Sequence, residues 1–281
     1  MDDTSRWKQI NIEFADWTTA EPTAVTHIAP LLLQAEEDAL ITGWFFLRKA
    51  PCWRVRYLPG ADPDATEQHF QAQLRALADT ERITGFQTVI YEPETRAFGG
   101  TAAMQAAQHL FHRDSRHLLA YLATTTHQAR HRRELAVLLC CALLRGADLD
   151  WYEQGDVWAH VAEHRPPDDQ LPPARLDALE PAVRRLLSVD TTPLLADGGT
   201  LAHAAAWIDA FAALGHQLAH LAATGRLHRG VRAVLAHHVV FTWNRHGLPY
   251  PAQVLLAHTA QRVVFGPDPA TARQQTQGTT S

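Results

Sequence analysis

Two arginines, Arg54 and Arg56, flank a single valine in the stretch WRVRY, 53–57. In an extended chain alternate side chains point to opposite sides, so Trp53, Val55 and Tyr57 share one face and the two guanidiniums share the other. A guanidinium keeps its charge at any working pH and presents a planar fork of donors. Side by side on a sheet, two of them form either a site for carboxylates and peptide carbonyls or an ordinary solvated face. Just upstream, in GWFFLRK, Trp44, Phe46 and Arg48 share a face. A second candidate group is YEPE, 91–94, ahead of Phe98, Gly99 and Gly100. Tyr91 and Glu92 pair an acid with a base for proton transfer. The alternative is turn chemistry, with Pro93 fixing the chain and the glycines allowing tight geometry.

Three further stretches hold chemistry-bearing side chains. In HRDSRH, 112–117, Ser115 stands near histidines, as a nucleophile would, but no nucleophile elbow surrounds it. Asp114 or Ser115 there also reads as a helix N-cap. Histidine works as acid or base near neutral pH, and His238 in HHVVFTWNR is a candidate for that work or for a hydrogen-bonded core position. His216 and His220 have the i, i+4 spacing of a zinc helix, without the glutamate of HExxH or a third ligand, so no metal is expected. There is no Walker loop, no GxGxxG and no thiolate cluster, so no cofactor is expected either.

The elements that must position these residues follow from periodicity. WKQINIEF, 7–14, alternates as a half-buried strand. Residues 22–40 read as a helix with Pro22 in its first turn. A two-stranded hairpin spans 41–59 and turns at Ala50 and Pro51. A helix over 64–80 and a strand over 86–94 complete the first third. From 101 to 265 the pattern is helical, with helices expected at 101–111, 115–126, 131–145, 150–164, 175–188, 200–223, 230–243 and 250–264. Breakers stand at 165–173 and 196–199. The fold class is therefore α+β, a small, mainly antiparallel sheet from the N-terminal third packed on a largely helical body. We expect one domain over 1–266, sheet-rich to residue 100 and helical from 101. The tail 267–281, with little apolar content, is expected to be disordered.

Composition bounds the function classes. The chain has 281 residues, is 46% hydrophobic and 20% charged, and carries a net charge of −5. That supports a sizeable core and gives no global attraction to nucleic acid or anionic membrane. An anionic partner would have to be caught by a local basic patch. The three cysteines, Cys52, Cys140 and Cys141, form no disulfide framework and no zinc spacing, which fits a reducing cytoplasm. The charged, alternating N-terminus is not a signal peptide. No apolar run reaches the roughly 18 residues of a membrane span.

Taken together and in order, GWFFLRKAPCWRVRY, YEPETRAFGG, AAQHLFHRDSR and HHVVFTWNRHGLP resemble the thiopeptide-type bacteriocin biosynthesis family. That family is similar to the C-terminal elimination domain of class I lantibiotic dehydratases. The resemblance covers roughly residues 5 to 265. It implies the elimination-domain fold and one of two cofactor-free activities on a precursor peptide. One is pyridine synthesis, in which two dehydroalanines join by a formal aza-[4+2] cycloaddition, water and leader peptide are lost, and a macrocycle forms. The other is elimination of glutamate from glutamylated Ser or Thr. Members of the elimination type carry RYGG after the acidic turn and a histidine shortly before Asn-Arg. Here Ala97-Phe98-Gly99-Gly100 and Val240 to Trp243 stand in those places, so the pyridine synthase is the favoured reading and the eliminase the alternative. A non-catalytic peptide-binding member is the third possibility.

The resemblance and the residue types make Tyr91, Glu92, His238 and Arg56 the catalytic candidates. Arg48, Arg54, Trp44, Ser115, Asn244 and Arg245 are candidates for holding the peptide. The partners implied are the precursor peptide, leader plus dehydrated core, and other enzymes of the same pathway. As a working form, monomer and homodimer both remain open.

Overall fold

The computed structural model describes residues 6–124 and 131–266. The tail from 267, expected to be disordered, lies outside the described residues. The chain divides into two compact units, Met1–Arg132 with Asn244–Gly247, and Arg133–Trp243 with Leu248–Ser281. The first unit thus holds the sheet and also borrows four residues from late in the sequence.

The first unit contains a four-stranded antiparallel sheet, as the alternation implied. Its strands are β1 (Lys8–Glu13), β2 (Ile41–Lys49), β3 (Cys52–Pro59) and β4 (Gly85–Val89), in the order β2-β3-β1-β4. Register sorts the two faces. Trp44 pairs with Tyr57, Phe46 with Val55 and Arg48 with Trp53, so these share one face. Phe45 pairs with Arg56, and Arg56 in turn with Gln9, so the opposite face is partly polar. On the first face Trp44, Phe46, Trp53, Val55 and Tyr57 are all buried. Phe46 stacks on Trp53 at 4.5 Å, and Tyr57 meets Phe70 at 4.6 Å. Phe70 belongs to α3 (Pro63–Asp79), which Asp62 caps by accepting from the backbone N–H groups of Asp64 and Ala65.

Two expectations are corrected in this unit. The first helix starts earlier than Pro22. It runs as α1 (Trp17–Thr23), a π-helical turn (Ala24–Ile28) and α2 (Ala29–Glu37), opened by Asp16 capping the Thr18 N–H. Pro22 sits inside, just ahead of the π-helical turn, a common place for a helix to absorb a missing donor. The two short helices expected at 101–111 and 115–126 are one helix, α4 (Thr101–Ala123), and residues 125–126 of the second expectation lie outside the described residues. HRDSRH is therefore no helix start, and Asp114 and Ser115 are fully buried in mid-helix.

An edge strand leaves backbone donors and acceptors unpaired, and β2 is such an edge. Side chains close part of it. Ser115 Oγ accepts from the Phe46 N–H at 3.3 Å, and Arg245 Nε donates to the Phe46 carbonyl at 3.1 Å. His112 Nδ1 lies 3.1 Å from the Trp44 nitrogen and 2.9 Å from the Trp44 oxygen, and it serves one or the other according to its tautomer.

Among its described residues the second unit is built from helices joined by loops, with no strand. Its helices are α5 (Arg132–Gly146), α6 (Trp151–Glu163), α7 (Pro173–Ser188), the short α8 (Thr192–Leu195), α9 (Ala205–Ala223), α10 (Val231–Arg245) and α11 (Tyr250–Phe265), with the last residues of α10 counted in the first unit. Trp158 of α6 stacks on Trp243 of α10 at 6.0 Å. The helices α5 and α9 cross at contact distance. A Cβ added at Gly146 would lie 2.3 Å from the Ala212 carbonyl oxygen, and one at Gly215 would lie 2.3 Å from that of Leu143. Helix propensity alone favours Gly215→Ala by about 1 kcal/mol. Backbone overlap opposes it, at a typical cost of about 1–3 kcal/mol or more for overpacking. We expect the clash to win, so that Gly215→Ala melts several degrees below the parent. A thermal melt at or above the parent value would contradict the crossing described here.

Candidate active site

The polar face of the sheet collects the side chains best placed for chemistry. Arg56 is 3% exposed. Its Nε donates to Gln9 Oε1 at 2.8 Å, and Gln9 Nε2 donates on to Asn11 Oδ1 at 2.9 Å. The guanidinium carbon lies 4.5 Å from the centre of the Tyr91 ring and 5.4 Å from that of Phe45. Arg56 Nη1 is buried and has no hydrogen-bond partner among the described residues. A buried charged donor left open in this way is costly, so its position carries information about what the site accepts.

Tyr91 follows β4 after Ile90 and is itself buried. Gln108 Nε2, on α4, donates to its hydroxyl oxygen at 3.4 Å, which leaves the phenolic O–H as a donor. Burial pushes the Tyr91 hydroxyl up from its ordinary value. The Arg56 charge and the Gln108 hydrogen bond pull it back only in part, and Glu94 adds to the rise. The hydroxyl is therefore protonated near neutral pH. Burial pulls the Arg56 guanidinium down, while Tyr91 and Glu94 act to restore it. The result is a charged donor lying over the ring of a neutral one, in a poorly solvated setting. Such a pair suits a carbonyl oxygen on which negative charge develops.

Other candidate residues stand elsewhere. Arg54 is half-buried on the same face as Arg56, paired in register with Asn11. Arg48 is on the opposite face, over the Trp53 ring at 4.7 Å. It forms an ion pair with Glu21, which Arg132 also joins, and its Nε donates to the Arg245 carbonyl at 2.8 Å. Ser115 holds the β2 edge, as described. Arg245 has no exposed surface; its Nη1 donates to Asp114 Oδ2 at 2.7 Å, and His246 Nε2 lies 2.9 Å from Asp114 Oδ1. Asn244 is half-buried, its carbonyl accepting from the Gly247 N–H at 3.1 Å. Glu92 is exposed. His238 is fully buried within the second unit.

Trp44 donates through Nε1 to Glu36 Oε2 at 2.9 Å. It lines a groove of about 640 Å³ together with Ala29, Leu33, Glu36, His112 and Arg116. Arg56, Tyr91, Glu94 and Gln108 do not line this groove. The chemistry and the cavity are therefore two places in the first unit. The groove is lined on α2 by Ala29, Pro30, Leu33 and the carboxylate of Glu36, and on α4 by Arg113, Arg116 and His117, with Arg116 ion-paired to Glu36.

Sequence reasoning missed Gln9, Gln108 and Glu94. Gln9 alternates with Ile10 and so read as solvent-facing. Gln108 is a single polar residue on a long helix. Glu94 stood in the quoted motif beside Glu92, and alternation gives no guidance once the strand ends at Val89.

A model of the family described as lantibiotic biosynthesis dehydratase C-term matches residues 7–264. No curated protein matches the sequence. Among solved structures, the tRNA-dependent lantibiotic dehydratase MibB from Microbispora sp. 107891 aligns with a TM-score of 0.65 at 16% identity over 96% of this chain. The chain spans 28% of the length of MibB. TsrL aligns with a TM-score of 0.62 at 16% identity, over 94% of this chain and 99% of TsrL. The pyridine synthase TbtD from thiomuracin biosynthesis aligns with a TM-score of 0.59 at 16% identity, over 92% of this chain and 97% of TbtD. At this identity the likeness is one of fold. Among the described residues, no helix is long and apolar enough to cross a membrane.

Proposed function

Since this chain belongs to the lantibiotic biosynthesis dehydratase C-terminal family, we propose that it modifies ribosomally made precursor peptides, and that its reaction is pyridine synthesis by formal aza-[4+2] cycloaddition of two dehydroalanines. The observation that carries this reading is the donor pair of Arg56 Nη1 and the Tyr91 hydroxyl, buried together on the polar sheet face. Fold likeness to the pyridine synthase TbtD along 97% of that chain supports it.

The reaction asks for positioning more than for reactive side chains. An amide of the substrate must pass to its iminol form to become a 2-azadiene, and its oxygen gains negative charge on the way. Arg56 would hold that oxygen, and Tyr91, kept protonated by burial, would donate to it. Holding diene and alkene together replaces an encounter with a pre-formed pair, worth up to about 7–11 kcal/mol in well-oriented systems. The groove beside Trp44 would seat the leader. Its apolar side chains and the cations Arg113 and Arg116 would take an amphipathic, acidic segment, in competition with Glu36, which already pairs with Arg116. We place the reaction in a reducing cytoplasm, where the three free cysteines would stay reduced.

The test is mass spectrometry after incubation with a precursor peptide carrying two dehydroalanines. Loss of water with release of a free leader carboxamide is the expected result. Tyr91→Phe should slow that conversion by about 100-fold, as losing one oxyanion donor does, with peptide affinity little changed. Full speed in the phenylalanine variant would remove Tyr91 from the mechanism. The likeness to MibB, a dehydratase, favours a second reading, glutamate elimination. It predicts free glutamate from a glutamylated peptide and no pyridine, and that outcome would replace the first.

A further inference from the structure

Glu94 is unaccounted for by the donor pair. It sits in the turn after Tyr91 with its backbone fixed, its carbonyl accepting from the Phe98 N–H at 3.1 Å. Its Oε2 is buried and has no hydrogen-bond partner among the described residues. Its charge acts on both Arg56 and Tyr91, yet no ion pair joins it to Arg56. A half-buried carboxylate and a buried guanidinium that act on each other electrostatically would gain by closing into an ion pair, since each alone is costly. Here one keeps an open acceptor and the other an open donor.

A peptide amide would satisfy both. Its oxygen needs a donor and its N–H needs an acceptor. In a trans amide the two point in opposite directions, so the groups that read them must stand apart with the substrate between them. A closed salt bridge would occupy that space. We infer that Arg56 and Glu94 form a two-point clamp on one amide of the substrate, and that Glu94 is the base that takes its proton. This rests on the reading of the preceding section. The amide is the one whose nitrogen belongs to the dehydroalanine that becomes the azadiene. Its N–H bond breaks and the proton goes to Glu94. The freed pair forms the C=N bond, and the C=O π pair moves onto oxygen, facing Arg56 Nη1. The Tyr91 hydroxyl, on the oxygen's side, gives its proton to that oxygen, and Glu94 passes the proton it took to the Tyr91 oxygen, giving the iminol with no other reactant. Glu92, exposed to solvent, has no such position.

The experiment has two arms. In the first, Glu94→Gln is compared with the parent on the dehydrated precursor. We expect kcat for pyridine formation to fall by about 10²–10⁴-fold, the usual contribution of a general base, with KM within about threefold and an unchanged circular dichroism spectrum. In the second arm, the parent protein binds two unreactive full-length precursors. One carries alanine at the reacting position, and the other carries lactic acid, which replaces the N–H by oxygen. Losing a hydrogen bond to a charged acceptor should weaken binding of the ester by about tenfold or more. That difference should shrink in Glu94→Gln, whose neutral amide oxygen still accepts, and vanish in Glu94→Leu. Equal affinity of the parent for amide and ester overturns the clamp, whether or not the protein makes pyridines. Turnover by Glu94→Gln within threefold of the parent overturns the base. A parent that makes no pyridine sinks the function proposed above, while the ester comparison still decides the clamp.

Discussion

Arg56→Met is expected to fold as the parent does and to form pyridine about 10²–10³-fold more slowly, the loss seen when a preorganised oxyanion donor is removed. The fold should tolerate the change because methionine fills much of the same volume between Phe45 and Tyr91. What it removes is a charge short of partners among the described residues, with Nη1 open and Nε bonded to Gln9. Gln9 Oε1 loses its donor, a cost of about 1–3 kcal/mol if it stays dry. Arg56→Lys separates charge from geometry. A lysine restores the positive charge without the fork, so a variant nearly as slow as Arg56→Met would show that the direction of Nη1 matters more than the field. The readouts are single-turnover mass spectrometry and a thermal melt in parallel. A stable Arg56→Met protein with parental turnover would move the site away from the polar sheet face altogether.

Asp114→Asn should produce the largest stability loss in the first unit. Asp114 and Arg245 are both without exposed surface, and His246 completes the cluster. Removing one partner leaves a buried cation uncompensated, a change that costs about 3–5 kcal/mol in comparable pairs. Removing both charges should restore much of it. Asp114→Asn combined with Arg245→Met is therefore expected to melt above Asp114→Asn alone, and a double variant that melts lower would refute this account of the pair. The pH dependence has a defined sign. Burial, the largest influence, pushes the Asp114 carboxyl up, but His246 and Arg245 together outweigh it and hold it below its ordinary value. A carboxylate depressed on folding stabilises above its unfolded pKa of about 3.9, and that contribution drains away as pH falls through the lower folded value. The parent should keep the contribution down to about pH 4 and lose it below. The asparagine variant should lack that acid limb.

The sheet was legible because β-alternation is a local property. WRVRY divided its side chains correctly between two faces, and the hairpin turned where expected, between Lys49 and Cys52. What alternation left open was depth. Arg54 and Arg56 look alike in sequence, and only the neighbours of each strand position make the first half-buried and the second buried. HRDSRH misled for a related reason. Asp and Ser favour helix starts, and here they occupy core slots of α4 instead. The buried set Ala103, Ala107, Leu110, Phe111, Asp114, Ser115 and Leu118 keeps an unbroken helical spacing through them. The signal was present in the period, but the partner that makes a buried aspartate tolerable lies 131 residues further along the chain. Long-range compensation of that kind leaves no mark within a local window. The same holds for Glu94, whose position depends on how Pro93 turns the chain after β4.

The closure of the β2 edge has a consequence for synthesis. The carbonyl of Phe46 is capped by Arg245, 199 residues later in the chain. At a translation rate of about 5–20 residues per second, roughly 10–40 s separate the emergence of one from the other. Through that interval the sheet has its four strands, all within the first 89 residues, but its outer strand still presents open backbone groups beside Trp44 and Phe46. A nascent chain in that state can pair with its neighbours on the same message. Its yield in a cell then depends on how crowded the ribosomes are and on what shields the strand, well before the finished protein's stability comes into play.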